Sequence, residues 1–296
     1  MTEQTQQEQE NDILKKGTLV LFSSSVWGET KKIGGVGILN TDAETELIDN
    51  VKHKIDKGWL APLKKLRSRA REYLYNKAYT FPVPGFIFVP RGNVVKIDDA
   101  MRSFSNEFND LVDSFVAKYP GYIAEMRRRL GSLYNPLDYP QDIRQYFAFT
   151  WRFVSLHHEN NAELLSPETI RREEASFRRM IEEFKETATI TLRTTFAAMV
   201  NRMVERLSGE KKIFRDTLIG NIREFVDGFS TMNINNDAEL AAAVEKCNKI
   251  LNGVSADALR SNDQFRNSIA SSMQAVQERL SNMMVHAPAR KLRKVG

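Results

Sequence analysis

From Glu168 to Ser208 the chain runs for about forty residues without a glycine or a proline. At 1.5 Å per residue, a helix over this stretch is roughly 60 Å long, well beyond the usual globular helix. Ser166 can cap its first free amides, and Pro167 lacks an N–H that a first helical turn would leave unpaired anyway. Phe177, Ile181, Phe184, Ala188, Leu192, Phe196, Met199, Met203 and Leu207 recur at spacings of three and four, as in a coiled-coil seam. Gly209 permits a reversal, and Lys211 to Phe229 repeats the pattern with Phe214, Leu218, Ile222, Phe225 and Phe229. Together they predict a long antiparallel, coiled-coil-like helical hairpin with an apolar interior. Asn236 and Glu239 have capping-box spacing ahead of Leu240, Ala243, Val244, Cys247 and Leu251, with Gly253 as the stop. Ser255 then caps a last helix from Ala256 to Met284.

The first half reads differently. Residues 1–13, rich in Gln and Glu, predict a disordered tail. Thr18 to Phe22 is a short strand that turns at Ser23-Ser24-Ser25, and Gly34, Gly35 and Gly37 mark a tight turn. Helical patterns follow at Ala43 to Lys57 and Leu60 to Ala78, with Gly58 and Pro62 as break and restart. Thr80 to Pro90 is not helical, because each proline disfavours a helical residue before it, and reads as a strand or a pair of β-turns. Asp98 is the expected cap of a helix from Asp99 to Lys118, and Pro120 opens a second that ends at Gly131. Tyr146 to Leu156 alternates, which places Phe147, Phe149, Trp151 and Phe153 on one strand face that needs a covering layer. The fold class is therefore mainly α: an α+β part with a short sheet over 14–160, a helical hairpin or bundle over 161–286, and a basic flexible tail over 287–296.

Hydrophobic residues at 42% and charged residues at 27% describe a chain that buries a core. No run approaches the roughly 18 apolar residues of a membrane span. The polar start is unlike a signal peptide, so the expected location is the cytosol of a bacterial host, with no membrane partner. The single cysteine, Cys247, allows no internal disulfide and reads as a small buried apolar side chain.

Catalytic signatures are absent. No P-loop, H-E-x-x-H, paired Glu-x-x-His or G-x-S-x-G occurs in the sequence. His157-His158-Glu159 is the one compact group with ligand potential, but adjacent strand residues point to opposite faces. Glu173-Glu174 and Glu182-Glu183 lie among Arg171, Arg172, Arg178 and Arg179, as on a solvated helix face. No enzyme and no cofactor are expected. Forty-three Lys and Arg against 38 Asp and Glu leave a net charge of +5, so basicity matters only where it clusters. It clusters at Lys52, Lys54, Lys57, Lys64, Lys65, Arg67, Arg69 and Arg71. With Tyr73, Tyr75 and Tyr79 nearby, this surface suits a docking face, or a nucleic-acid backbone with bases stacked on the rings. The ordinary alternative is a solvated helix whose tyrosines fill the core. Arg127-Arg128-Arg129 and the C-terminal basic tail would extend the surface.

Val26-Trp27-Gly28, Leu63 to Ala70, Phe81 to Val89 and, above all, Asn233-Ile234-Asn235-Asn236-Asp237-Ala238-Glu239-Leu240 through Ser255 resemble an uncharacterised bacterial and phage family catalogued as a domain of unknown function. Members of that family often lie near MoxR-type AAA+ ATPases and von Willebrand A proteins. Where the family has a Gly-Ser-Lys-Lys-like step, this chain has Val51-Lys52-His53-Lys54. The resemblance implies an association with an ATPase module and supplies no activity and no site residues. The leading expectation is a non-enzymatic, self-associating scaffold or adaptor that works with an AAA+ ATPase or von Willebrand A partner. The alternative is a nucleic-acid-binding accessory protein of a phage or mobile element.

Overall fold

The computed structural model describes residues 13, 15–33, 51–155, 166–208 and 216–285. A four-stranded antiparallel sheet is ordered β4-β5-β1-β6, from β1 (Gly17–Ser25), β4 (Tyr79–Thr80), β5 (Phe86–Pro90) and β6 (Ala148–Val154). A ribbon of β2 (Thr30–Lys32) and β3 (Val51–His53) stands apart. Helices α1 (Lys57–Asn76) and α2 (Val94–Leu130) complete the first part. The second part comprises α3 (Pro167–Leu207), α4 (Asp216–Met232), α5 (Ala238–Leu251), α6 (Ala256–Ser261) and α7 (Asp263–Val285).

Strand alternation sorts the sheet's side chains into two cores. Val20, Ile87, Val89 and Phe149 face α1 and α2, packing with Leu60, Leu63, Leu66, Met101, Phe108 and Phe115. Leu19 and Phe88 face the other way, onto Ile181, Phe184 and Ala188 of α3 and Ile234 of the loop before α5. Helix α2 is thus the covering layer required by the β6 aromatics; Phe108 and Phe149 meet with centroids 5.5 Å apart, within the usual spacing of ring pairs. Phe153, at the end of that face, stays 38% exposed. The third core lies within the second part, where α3 from Leu192 onward packs with α4, α5, α6 and α7.

The long helix forms as the sequence predicts, with Ser166 Oγ accepting from the Thr169 amide. Its antiparallel partner α4 stacks Phe225 on Phe196, centroids 5.0 Å apart. The hairpin is one edge of a bundle, since α3 packs more extensively along α7 than along α4. Ile13, expected in the tail, is buried in the core beneath the sheet.

Several local expectations are corrected. β1 continues through Ser23 to Ser25, because Ser23, Ser24 and Ser25 pair with Thr150, Phe149 and Ala148 and the ladder overrides their turn preference. Within the predicted Ala43 to Lys57 helix, Val51, Lys52 and His53 form a strand paired to Lys32, Lys31 and Thr30, residues 54–56 are a non-helical link into α1, and 43–50 lie outside the described residues. Gly58 and Pro62 make no break, as both sit early in α1 behind the Asp56 cap. Pro120 does not open a second helix but lies inside the 37-residue α2. The α5 cap is Asp237, which accepts from the Leu240 amide, one residue beyond the expected Asn236. Asn236 instead takes a φ of 54° to turn the chain into that cap. The last helix is two, split at Asn262, whose Oδ1 receives the Phe265 amide.

Candidate docking surface on helix α1

Asp56 starts α1 by accepting a 2.8 Å hydrogen bond from the Gly58 amide. Leu60, Leu63, Leu66, Ala70 and Leu74 follow at spacings of three and four and form its buried face. The opposite face therefore has to carry the charged residues, which is why the basic cluster reaches solvent at all.

The eight basic residues divide into two groups. Lys52 lies on β3, not on the helix, and its ammonium sits 2.6 Å from Asp138 Oδ2 and donates to the Leu133 carbonyl at 2.7 Å. Lys31, directly opposite it in the ribbon, pairs with the other oxygen of the same carboxylate. Burial pushes the Asp138 carboxyl up, but the two lysine hydrogen bonds outweigh it and hold the group below its ordinary 3.8. Lys54 lies 4.4 Å over the Trp27 ring, where burial depresses its ammonium pKa. Lys64 pairs with Glu29 at 2.5 Å, and Arg69 pairs with Glu107 at 2.9 Å while lying over Phe104. The remaining four, Lys57, Lys65, Arg67 and Arg71, have no acidic partner among the described residues.

The tyrosines are mostly withdrawn. Tyr79 is buried and donates to the Met232 carbonyl, and burial raises its pKa. Tyr73 makes an edge contact with Phe104. Only Tyr75 of the three is exposed, at 46%. The expected ring platform for bases is therefore reduced to one side chain, because Tyr73 and Tyr79 serve the packing of α1 on its neighbours. Arg129, at the end of α2, does join this surface: it donates to Asp56 at 2.9 Å, and that bond first, then the Gly58 amide, holds the Asp56 carboxyl low.

Sequence reasoning missed a heavily bonded polar group. Arg193 on α3 forks onto Asp237, at 2.6 Å and 3.0 Å, and reaches Glu239 at 3.3 Å. Asn235 donates to the Lys185 carbonyl and Thr189, and Asn233 brackets Asp237 in both directions. Lys16 reaches the Ile234 carbonyl from the first part at 3.1 Å. The Asn233 to Asp237 stretch is thus a knot that ties α3, α4 and α5 to the β1 end of the sheet. Asp138 was missed as well. The partners are too far apart in sequence for any local spacing to disclose them, and the one visible sign was a dense run of Asn and Asp.

Cys247 is fully buried, with its thiol pushed up to about 12 by desolvation, as suits an apolar filler. The acidic pairs on α3 form surface ion pairs, Glu173 with Arg172 and Glu182 with Lys185. His157-His158-Glu159, the Gly34 to Gly37 turn and the C-terminal basic tail lie outside the described residues. Among the described residues no group of three or more His, Cys, Asp or Glu is placed to hold a metal.

These features define a mainly helical protein with a small antiparallel sheet, in which no helix among the described residues is long and apolar enough to cross a membrane. Residues 14–278 match the family described as "Protein of unknown function (DUF3150)", and the chain belongs to that family. No curated protein and no solved structure matches it.

Proposed function

We propose that this chain is a non-enzymatic helical adaptor of a bacterial or phage system, acting in the cytosol with an AAA+ ATPase or von Willebrand A partner and with further copies of itself. The observation that supports the reading is the outward face of α1, where Lys57, Lys65, Arg67 and Arg71 stand without acidic partners on a helix whose other face is locked into the core. A rigid helix with uncommitted cations presents fixed charges to an acidic partner surface, which favours fast and selective encounter. The test is purification of the tagged protein from its host with and without nuclease. Retention of an ATPase or von Willebrand A partner after nuclease, lost when Arg67 and Arg71 are changed to Glu, supports the adaptor. Absence of any such partner in both preparations overturns it.

The same four cations favour a second reading, an accessory protein that tracks a nucleic-acid backbone. It requires affinity that falls steeply with salt and with charge reversal of Lys65, Arg67 and Arg71. Salt-insensitive behaviour in a gel-shift titration removes it.

A further inference from the structure

Where the end of α2 meets the start of α1, a pocket of about 290 Å³ is lined by His53, Ile55, Asp56, Lys57, Met126 and Arg129. Its floor is apolar, since Ile55 and Met126 are buried at 1% and 4% exposure. Its rim is basic. Lys57 has no acidic partner among the described residues, and His53 adds a ring nitrogen from the exposed end of β3. The one acid, Asp56, is already committed: it takes the Gly58 amide on Oδ1 and Arg129 on Oδ2. That bond orients the guanidinium at the pocket wall and leaves its other donors free for a second acceptor. Two full positive charges and one negative therefore face a concave site that offers ammonium, guanidinium and imidazole donors from three separate elements.

We propose that this pocket binds a phosphate group. A phosphate presents several acceptor oxygens at once, which matches donors converging from α1, α2 and β3, and its charge offsets the excess left by Lys57 and Arg129. A guanidinium held in place by Asp56 loses little freedom on binding, and a pocket of about 290 Å³ has room for a small organic body beside the phosphate. The site shares Lys57 with the docking face but does not rest on the adaptor reading, because the ligand is recognised by donors from three elements and not by the length of α1.

The experiment is calorimetric titration of the full chain at fixed ionic strength, with inorganic phosphate as the probe and phenyl phosphate as a second arm. The expected result is saturable binding of one ligand per chain, weakened about tenfold in Lys57→Met, the loss of one charge-assisted hydrogen bond. Arg129→Lys keeps the charge while removing the fork and is expected to weaken binding without unfolding the chain. Lys65→Met, on the same helix but outside the pocket, is expected to bind as the parent does. Tighter binding of phenyl phosphate assigns a small phosphomonoester, and equal binding assigns the free ion. Non-saturable heats, or a loss in Lys65→Met equal to that in Lys57→Met, overturn the proposal, since both indicate diffuse surface charge. A chain that binds phosphate but retains no ATPase partner separates this site from the adaptor reading.

Discussion

Arg193 and Asp237 show how one charged pair is placed so that it has to be satisfied. Their side chains are 19% and 7% exposed, so removing one leaves the other poorly solvated. Burial raises the Asp237 carboxyl, but Arg193 and the Leu240 amide together hold it below 3.8. Arg193→Met is expected to cost about 3 kcal/mol, the usual loss when one partner of a buried pair is removed, and a urea melt followed by circular dichroism checks it. Asp138 carries a pH dependence of defined sign. Its folded pKa lies below the ordinary 3.8, so the stability it adds is present above that value and is lost as the pH falls through the folded pKa. Asp138→Asn is expected to be less stable than the parent at neutral pH, with the gap closing as the solution is taken below about pH 4, the ordinary carboxylate range. A gap that persists unchanged in acid would mean that the lysine pair does not act through charge.

At the scale of the elements, α2 is the helix that its sequence argues against. Pro120 removes an amide and crowds the preceding turn, yet the helix runs through it from Val94 to Leu130. The proline sits on the exposed side, while Phe115, Tyr119 and Met126 on the inner side are buried against the core. Packing on both sides of the proline thus outweighs its local cost. Pro120→Ala is expected to raise stability by about 1–3 kcal/mol, part of the helix-interior penalty, read as a shifted denaturant midpoint with unchanged slope. α1 follows the simpler rule: its apolar stripe and basic face were visible as spacing, while the Asp56 cap and the start at Lys57, ahead of the expected Leu60, were not.

For the whole molecule, the notable feature is that α3 serves two cores. Phe184 and Ile181 close the sheet's lower face, while Phe196 through Leu207 fill the helical bundle. The two parts also touch where Gly92 faces Thr231 of α4; a Cβ at Gly92 would lie 2.8 Å from Thr231 Cγ2 and 2.9 Å from its Oγ1. Gly92→Ala is therefore expected to destabilise by about 1–2 kcal/mol through overpacking. Thr231→Ala in the same chain should restore most of it, because the crowded atoms are then gone. Failure of that rescue in a thermal melt would place the strain elsewhere.

The sequence by itself determined the helices with strong period and clear punctuation: the long α3 with its Ser166 cap, the α4 stripe, the Gly253 stop, and the non-helical Phe81 to Val89 segment, which is a turn leading into β5. These are legible because caps, prolines and apolar spacing act within one or two turns of chain. The candidate surface was half legible. The basic run was plain, but which cations remain free was decided by Glu29, Glu107 and Asp138, residues that the fold brings in from tens of positions away. Tertiary structure alone decided the β3 strand, the unbroken α2, the polar knot at Asn233 to Asp237 and the pocket beside Lys57. Each depends on contacts whose free energy exceeds local preference and whose partners are distant in sequence, so no local spacing records them.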